Sequence, residues 1–224
     1  MYLPSTQTRK HLVGLLPDKL ARRPVDHRGY PVPWFVAWIN GKPDFRIMDP
    51  NKWQLGMDKR RCWVCGGGLG KFGTFVAGLM CIVTHTSAEP PSHIECAKFA
   101  VKGCPFLTIP TAQYREAKLP ADVRANEGMI TSNPEVSALW TTNQWRAEYG
   151  MGDDGQTRLV KFGEPRTVSY WTQGRPATDA EVTATFWKRL PILQQQAEQE
   201  GASAMRQLAG MVEDALFWLP AQAR

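Results

Sequence analysis

Two pairs of metal-ligating residues constrain this chain more than anything else in it. Cys62-Trp63-Val64-Cys65 is a Cys-x2-Cys pair. His93-Ile94-Glu95-Cys96 is a His-x2-Cys pair, with 27 positions separating Cys65 from His93. After the first pair comes Gly66-Gly67-Gly68, and glycine tolerates the positive φ that a tight turn behind the second cysteine requires. Before the second pair stands Ser92, a favourable helix cap, and Ala97-Lys98-Phe99-Ala100 continues as helix. His93 and Cys96 are therefore expected one turn apart on one helix face. Two such pairs predict one bound zinc ion. Four protein ligands leave no open coordination position. Closed sites are structural, whereas catalytic zinc keeps a water. The competing reading is of buried core cysteines beside a satisfied histidine. It suits a Cys-x2-Cys pair in a reducing compartment less well. A histidine in the set also favours zinc over an iron–sulfur cluster.

The other thiols are expected to stand apart from the ion. Cys81 lies in an apolar run and reads as a small hydrophobe. Cys104, beside Pro105, falls at the far end of the helix. Were one of the four ligands misassigned, Cys104 or His85 would be its substitute. Between the ligand pairs, Lys71 to Val76 and Gly78 to Thr84 read as two strands of a hairpin. A knuckle, a hairpin and a helix carrying the last two ligands resemble the treble-clef zinc fold, over Arg61 to Cys104. The nuclease members of that fold carry a catalytic histidine on the first strand after the knuckle. This sequence has none there, and His85 comes later without a neighbouring Asp, so the nuclease pattern is not met. Gly66 to Gly70 lacks the Lys-Ser/Thr of a phosphate-binding loop. Asp26-His27-Arg28 offers a general-base pair, but a lone histidine in a basic loop is usually solvated.

Four stretches are similar to a family of uncharacterised bacteriophage and mobile-element proteins: Arg61 to Gly66, Ser87 to Ala97, Cys104 to Leu107 and Trp171 to Thr178. The resemblance implies a phage setting, and with it a host-cell cytoplasm. It implies no activity.

Around the zinc module the chain reads as α+β: small β-sheets and a helical C-terminus. Leu12 to Leu20 reads as a short helix interrupted at Pro17. Trp34 to Ile39 and Asp44 to Met48 flank Asn40-Gly41, the strongest short hairpin signal. Asn51 to Arg60 reads as a turn or two of helix. Leu107 to Pro134 reads as a connector, Ser137 to Thr142 as a strand, and Gly150 to Gly155 as a turn. Arg158 to Phe162 and Thr167 to Thr172 read as a hairpin turning at Gly163-Glu164-Pro165. Thr178-Asp179-Ala180-Glu181 matches a capping box. The helix behind it is expected to kink or break at Pro191 and again at Gly201. Met205, Leu208, Val212, Leu216 and Leu219 then form an apolar stripe that reads as core-facing. The segments divide as 1–60, 61–107, 108–177 and 178–224, and are expected to form one compact domain.

Charge bears on the partner. Residues 1–72 carry 13 Lys/Arg against 5 Asp/Glu, whereas 73–224 carry 14 against 16. A basic N-terminal third suits an anionic partner, nucleic acid or an acidic host protein. Its densest points are Arg22, Arg23, Arg28, Lys59, Arg60 and Arg61. If the partner is a protein, Trp34, Trp38 or Trp53 would be the better anchors. The reading is a zinc-stabilised, non-enzymatic binding protein. Its alternatives are an enzyme acting on a nucleotide or nucleic acid, and an inhibitor of a host defence or transcription system that works by protein contacts alone. No apolar run is long enough to cross a membrane, and no signal peptide is read, so a cytoplasmic protein is expected.

Overall fold

The computed structural model describes residues 8–114, 119, 132–150 and 157–221. Two short helices come first, α1 (Lys10–Val13) and α2 (Asp18–Ala21), broken at Pro17 as the sequence predicts. The hairpin follows. Strands β1 (Val36–Ile39) and β2 (Lys42–Met48) pair antiparallel, and Asn40 and Gly41 both take the left-handed φ their turn demands. Helix α3 (Pro50–Asp58) is capped by Asp49, whose carboxylate accepts from the N–H groups of Asn51 and Lys52.

Strand β3 (Gly73–Gly78) runs out of the knuckle. The hairpin expected there does not form. Leu79–Thr84 is a helix, α4, and four of its six residues are buried. An unbroken apolar run carries no period that separates a buried strand from a buried helix. The partner of β3 is instead β5 (Ser137–Thr142), with Phe75 opposite Trp140. After α4 come β4 (Thr86–Ser87), α5 (Ile94–Gly103) and α6 (Pro105–Thr108).

The second half corrects another pairing. Strand β6 (Trp145–Gly150) forms a hairpin with β7 (Thr157–Phe162), and β4 joins the other edge of β7. Strand β8 (Thr167–Thr172) pairs with β5 and with β9 (Arg175–Pro176). So β7 and β8, read as one hairpin, lie in different sheets, of order β4-β7-β6 and β3-β5-β8-β9. Residues 163–166 are a crossover between the sheets. The turn expected at 150–155 and most of the connector lie outside the described residues.

Helix α7 (Asp179–Glu200) begins at the capping box and continues through Pro191, so of the kink or break expected there the break does not occur. It ends at Gly201 (φ +101°), and α8 (Ala202–Trp218) follows. The two helices pack on each other and on α4. Phe75, Trp140, Phe162, Phe186 and Leu208 share the large core beneath them. A smaller core gathers Leu12, Leu20, Val64 and Phe99 around Cys62, Cys65 and Cys96. No helix among the described residues is long and apolar enough to cross a membrane.

Candidate metal centre

Three backbone segments converge on one point. The knuckle is closed by Cys62 N–H donating to the Gly67 carbonyl (2.7 Å) and Gly66 N–H to the Cys62 carbonyl (2.8 Å). Gly66 takes φ +78°, which sends the chain back over the two cysteines. The second ligand pair is brought in by the Thr74–Ser92 bridge and by Trp63 N–H donating to the Pro91 carbonyl (3.1 Å). Here the helix starts one residue later than expected. His93, not Ser92, is the N-cap of α5, and Cys96 sits in the first turn. A thiolate at that place lies in the favourable field of the helix N-terminus.

The ligand atoms of Cys62, Cys65, His93 and Cys96 all lie within 4.8 Å of one another, and the three sulfurs are buried. His93 Nδ1 is 3.4 Å from Cys65 Sγ and 4.0 Å from Cys96 Sγ. A tetrahedral zinc ion with ordinary bond lengths separates its ligand atoms by about 3.6–3.8 Å, so the cluster fits. The second ring nitrogen fixes the tautomer. His93 Nε2 lies 2.9 Å from the Gly68 carbonyl, which only accepts, so Nε2 carries the proton and Nδ1 keeps its lone pair for the ion. Backbone N–H groups face the sulfurs as well: Cys65 (3.5 Å) and His93 (3.3 Å) donate to Cys62 Sγ, and Gly67 (3.4 Å) donates to Cys65 Sγ.

Without an ion these contacts set the thiols against one another. Hydrogen bonds from the Cys65 and Cys96 side chains, joined by the two backbone donors, hold Cys62 far below the ordinary thiol range. The same contacts, seen from Cys62, push Cys65 and Cys96 up, and burial adds to the rise. A bound dication reverses the logic by favouring all three thiolates. A Cys3His cluster of this shape can hold one metal ion, and its donor set is that of zinc.

The other candidate residues fall elsewhere. Cys81 and Cys104 are pushed up by burial and stand outside the cluster. His85 is the left-handed C-cap of α4; it stacks on Phe162 and faces the Phe162 carbonyl through Nδ1. Arg23 is half-buried, which lowers its guanidinium below the ordinary range, and it donates to the carbonyls of Val32 and Pro33. Arg28 pairs with buried Asp26 at 2.7 Å. Arg61 donates to the Gly66 carbonyl. Arg60 lies over the Trp145 ring. Arg22 and Lys59 are exposed at the ends of α2 and α3. Trp34 stands edge-on to Trp63, with its ring against Gly66, and so helps to build the knuckle. Trp38 is exposed on β1. Trp53 is buried and donates to the Ala88 carbonyl, so it serves the core rather than a contact surface. Sequence reasoning missed Pro17, Asp18 and Lys19, which line a shallow cleft with His93, Glu95 and Cys96. No spacing signal joins α2 to a ligand pair over 70 residues away. No family model matches the chain, and neither does any curated protein or solved structure.

Proposed function

We propose that this chain is a zinc-stabilised, non-enzymatic binding protein, whose basic N-terminal third engages an anionic partner, with nucleic acid the first choice. The observation that carries the reading is the Cys3His cluster joining the knuckle to the start of α5. The protein supplies all four ligands, so the ion has no position for water and serves the fold. Three thiolates around a dication leave one net negative charge.

A second reading has its own observation. Trp38 and Ile39 are exposed side by side at the end of β1, the kind of aromatic and aliphatic pair that anchors a protein contact. It belongs to an inhibitor acting on a host protein. A phage setting, expected from the sequence alone, would make a bacterial lysate the place to look.

The test has two parts. Purified protein is expected to carry about one zinc per chain, and Cys65→Ser or His93→Ala to lower the thermal midpoint or leave the chain insoluble. Absence of zinc, or a Cys65→Ser variant that melts like the parent, sinks the structural reading. Titration with DNA and RNA is expected to show binding that weakens steeply with salt. No binding at low salt, beside a discrete protein captured through Trp38, moves the function to the second reading. Nuclease activity lost in a folded His93→Ala variant would instead establish the enzyme alternative.

A further inference from the structure

Among the described residues several cations pair with carboxylates. Arg46 pairs with Asp44, Arg146 with Glu148, Arg175 with Glu181, and Lys188 and Arg189 with Glu135. Three neighbouring cations do otherwise. The guanidinium of Arg60 lies 3.7 Å from the centre of the Trp145 ring. That of Arg166 lies 4.9 Å from the Phe72 ring, and Lys71 Nζ 5.8 Å from the same ring. Among the described residues no carboxylate forms an ion pair with any of the three. Arg60 also donates to the Lys71 carbonyl at 3.1 Å, and a side chain on Gly73 would come within 3.0 Å of the Trp145 ring. The five residues therefore form one surface, drawn from the end of α3, the approach to β3, the start of β6 and the crossover into β8.

We propose that this surface binds single-stranded nucleic acid. The inference rests on the anionic-partner reading above and gives it a place. Rings hold the cations without cancelling them, so the full charge faces outward. Lys71 and Arg166 are exposed and suited to phosphates. Arg60 is held over the Trp145 ring, and a planar guanidinium so placed is a platform for an unstacked base. A duplex hides its base faces. A protein partner would need a desolvated apolar centre, and here the two rings lie half-buried beneath the cations. The backbone adds one detail: Arg60 adopts φ +47°, the left-handed region, which turns its side chain off the end of α3 toward β6.

The experiment uses zinc-loaded full-length protein and labelled oligonucleotides of about 12 nucleotides, single-stranded DNA and RNA beside the matching duplex. Fluorescence anisotropy across a salt series is the readout. The single strands are expected to bind about tenfold or more tighter than the duplex, the scale of one stacked base. The double variant Lys71→Gln, Arg166→Gln is expected to reduce the salt slope by about 1.4, two phosphate contacts' worth. Arg60→Gly is expected to remove the preference for single strands, since glycine accepts the left-handed backbone without strain. The double variant alters exposed side chains only, so it stays informative if Arg60→Gly folds poorly. Equal affinity for duplex overturns the single-strand assignment. Unchanged binding in both variants, with loss in Arg22→Ala, overturns this surface and leaves the anionic-partner reading standing. No binding to any oligonucleotide at low salt overturns both.

Discussion

Gly66 is required on two independent grounds. Its φ of +78° is one that side chains rarely adopt. A Cβ there would also meet Trp34 Cδ1 and Cγ at 2.6 Å. That ring has little room to move, since Trp34 N–H donates to the Val64 carbonyl and the ring stands edge-on to Trp63. Gly66→Ala is therefore expected to cost about 2–4 kcal/mol, the sum of left-handed strain and overpacking. Gly68 is the internal control: its Cβ would meet nothing within 4 Å and its φ is not left-handed, so Gly68→Ala should stay within about 1 kcal/mol of the parent. Urea unfolding of the two variants, each zinc-loaded, checks both. A neutral Gly66→Ala would mean the knuckle is not closed as described. At this scale the sequence was legible where chemistry narrows the choice. Few arrangements other than a metal site explain Cys62, Cys65, His93 and Cys96 in two x2 pairs, and the glycines after Cys65 announced the turn. Trp34's contact with Gly66 was not legible, because the two lie 32 positions apart and nothing in either residue names the other. The same holds for Arg60 and Trp145.

Among elements, α7 shows how local and tertiary terms divide. Its N-terminus is written in sequence: Thr178 Oγ1 accepts from Glu181 N–H, and Glu181 Oε2 accepts from Thr178 N–H at 2.8 Å. Thr178→Ala is expected to cost about 1 kcal/mol in thermal or urea unfolding. The Arg175 guanidinium, with the Thr178 N–H second, holds the Glu181 carboxyl down at about 2, below its ordinary 4.5. A depressed folded-state pKa contributes stability that is present above about pH 4.5 and lost as pH falls from there towards 2. The Glu181 side chain is 34% exposed and screened by solvent, so that contribution stays below about 1 kcal/mol. The pH dependence of unfolding in Glu181→Gln measures it, and a difference from the parent that grows at low pH would contradict the sign. Pro191 shows the opposite case. Buried Phe186 and Leu190 lie before it and Ala197 after it, and packing on α4 and α8 carries the helix across the missing N–H. Pro191→Ala is expected to stabilise the protein by about 2–2.6 kcal/mol, the interior proline penalty less the stiffening of the unfolded chain. The misread elements failed for related reasons. Leu79 to Thr84 has no period to read. Strand β6 did carry one, with Trp145, Ala147 and Tyr149 alternating with Arg146 and Glu148, and that signal was there to be found. Strands β7 and β8 are adjacent in sequence, but their partners are chosen by the two sheets, which no local pattern specifies.

In the whole molecule the metal cluster lies within the smaller of two cores, and Trp63 links it to the larger. Trp63 belongs to the large one, stacked on Phe35 at 4.8 Å. Its neighbours Cys62, Val64 and Cys65 belong to the small one with Leu12 and Leu20. The large core is closed by two sheets and by α4, α7 and α8, and its side chains owe nothing to an ion. The small core has few buried apolar groups besides the ligands themselves, too little area to offset the ordering of residues 8–33 on its own. Metal removal should therefore be felt unevenly. In hydrogen exchange with a strong chelator, amides of the N-terminal segment are expected to lose protection first. Leu20 N–H, bonded to the Pro17 carbonyl, and Val32 N–H, bonded to the Pro24 carbonyl, are the reporters. A loss of protection of more than about tenfold there is modest against the free energy of structural zinc binding. Amides of β5 and of α7 around Phe186 should change far less at the same chelator concentration, since Ala138, Trp140 and Phe186 are fully buried away from the cluster. Equal loss in both regions would show that the ion holds the entire fold, through Trp63. No loss in either would show that the four ligands pack without needing one.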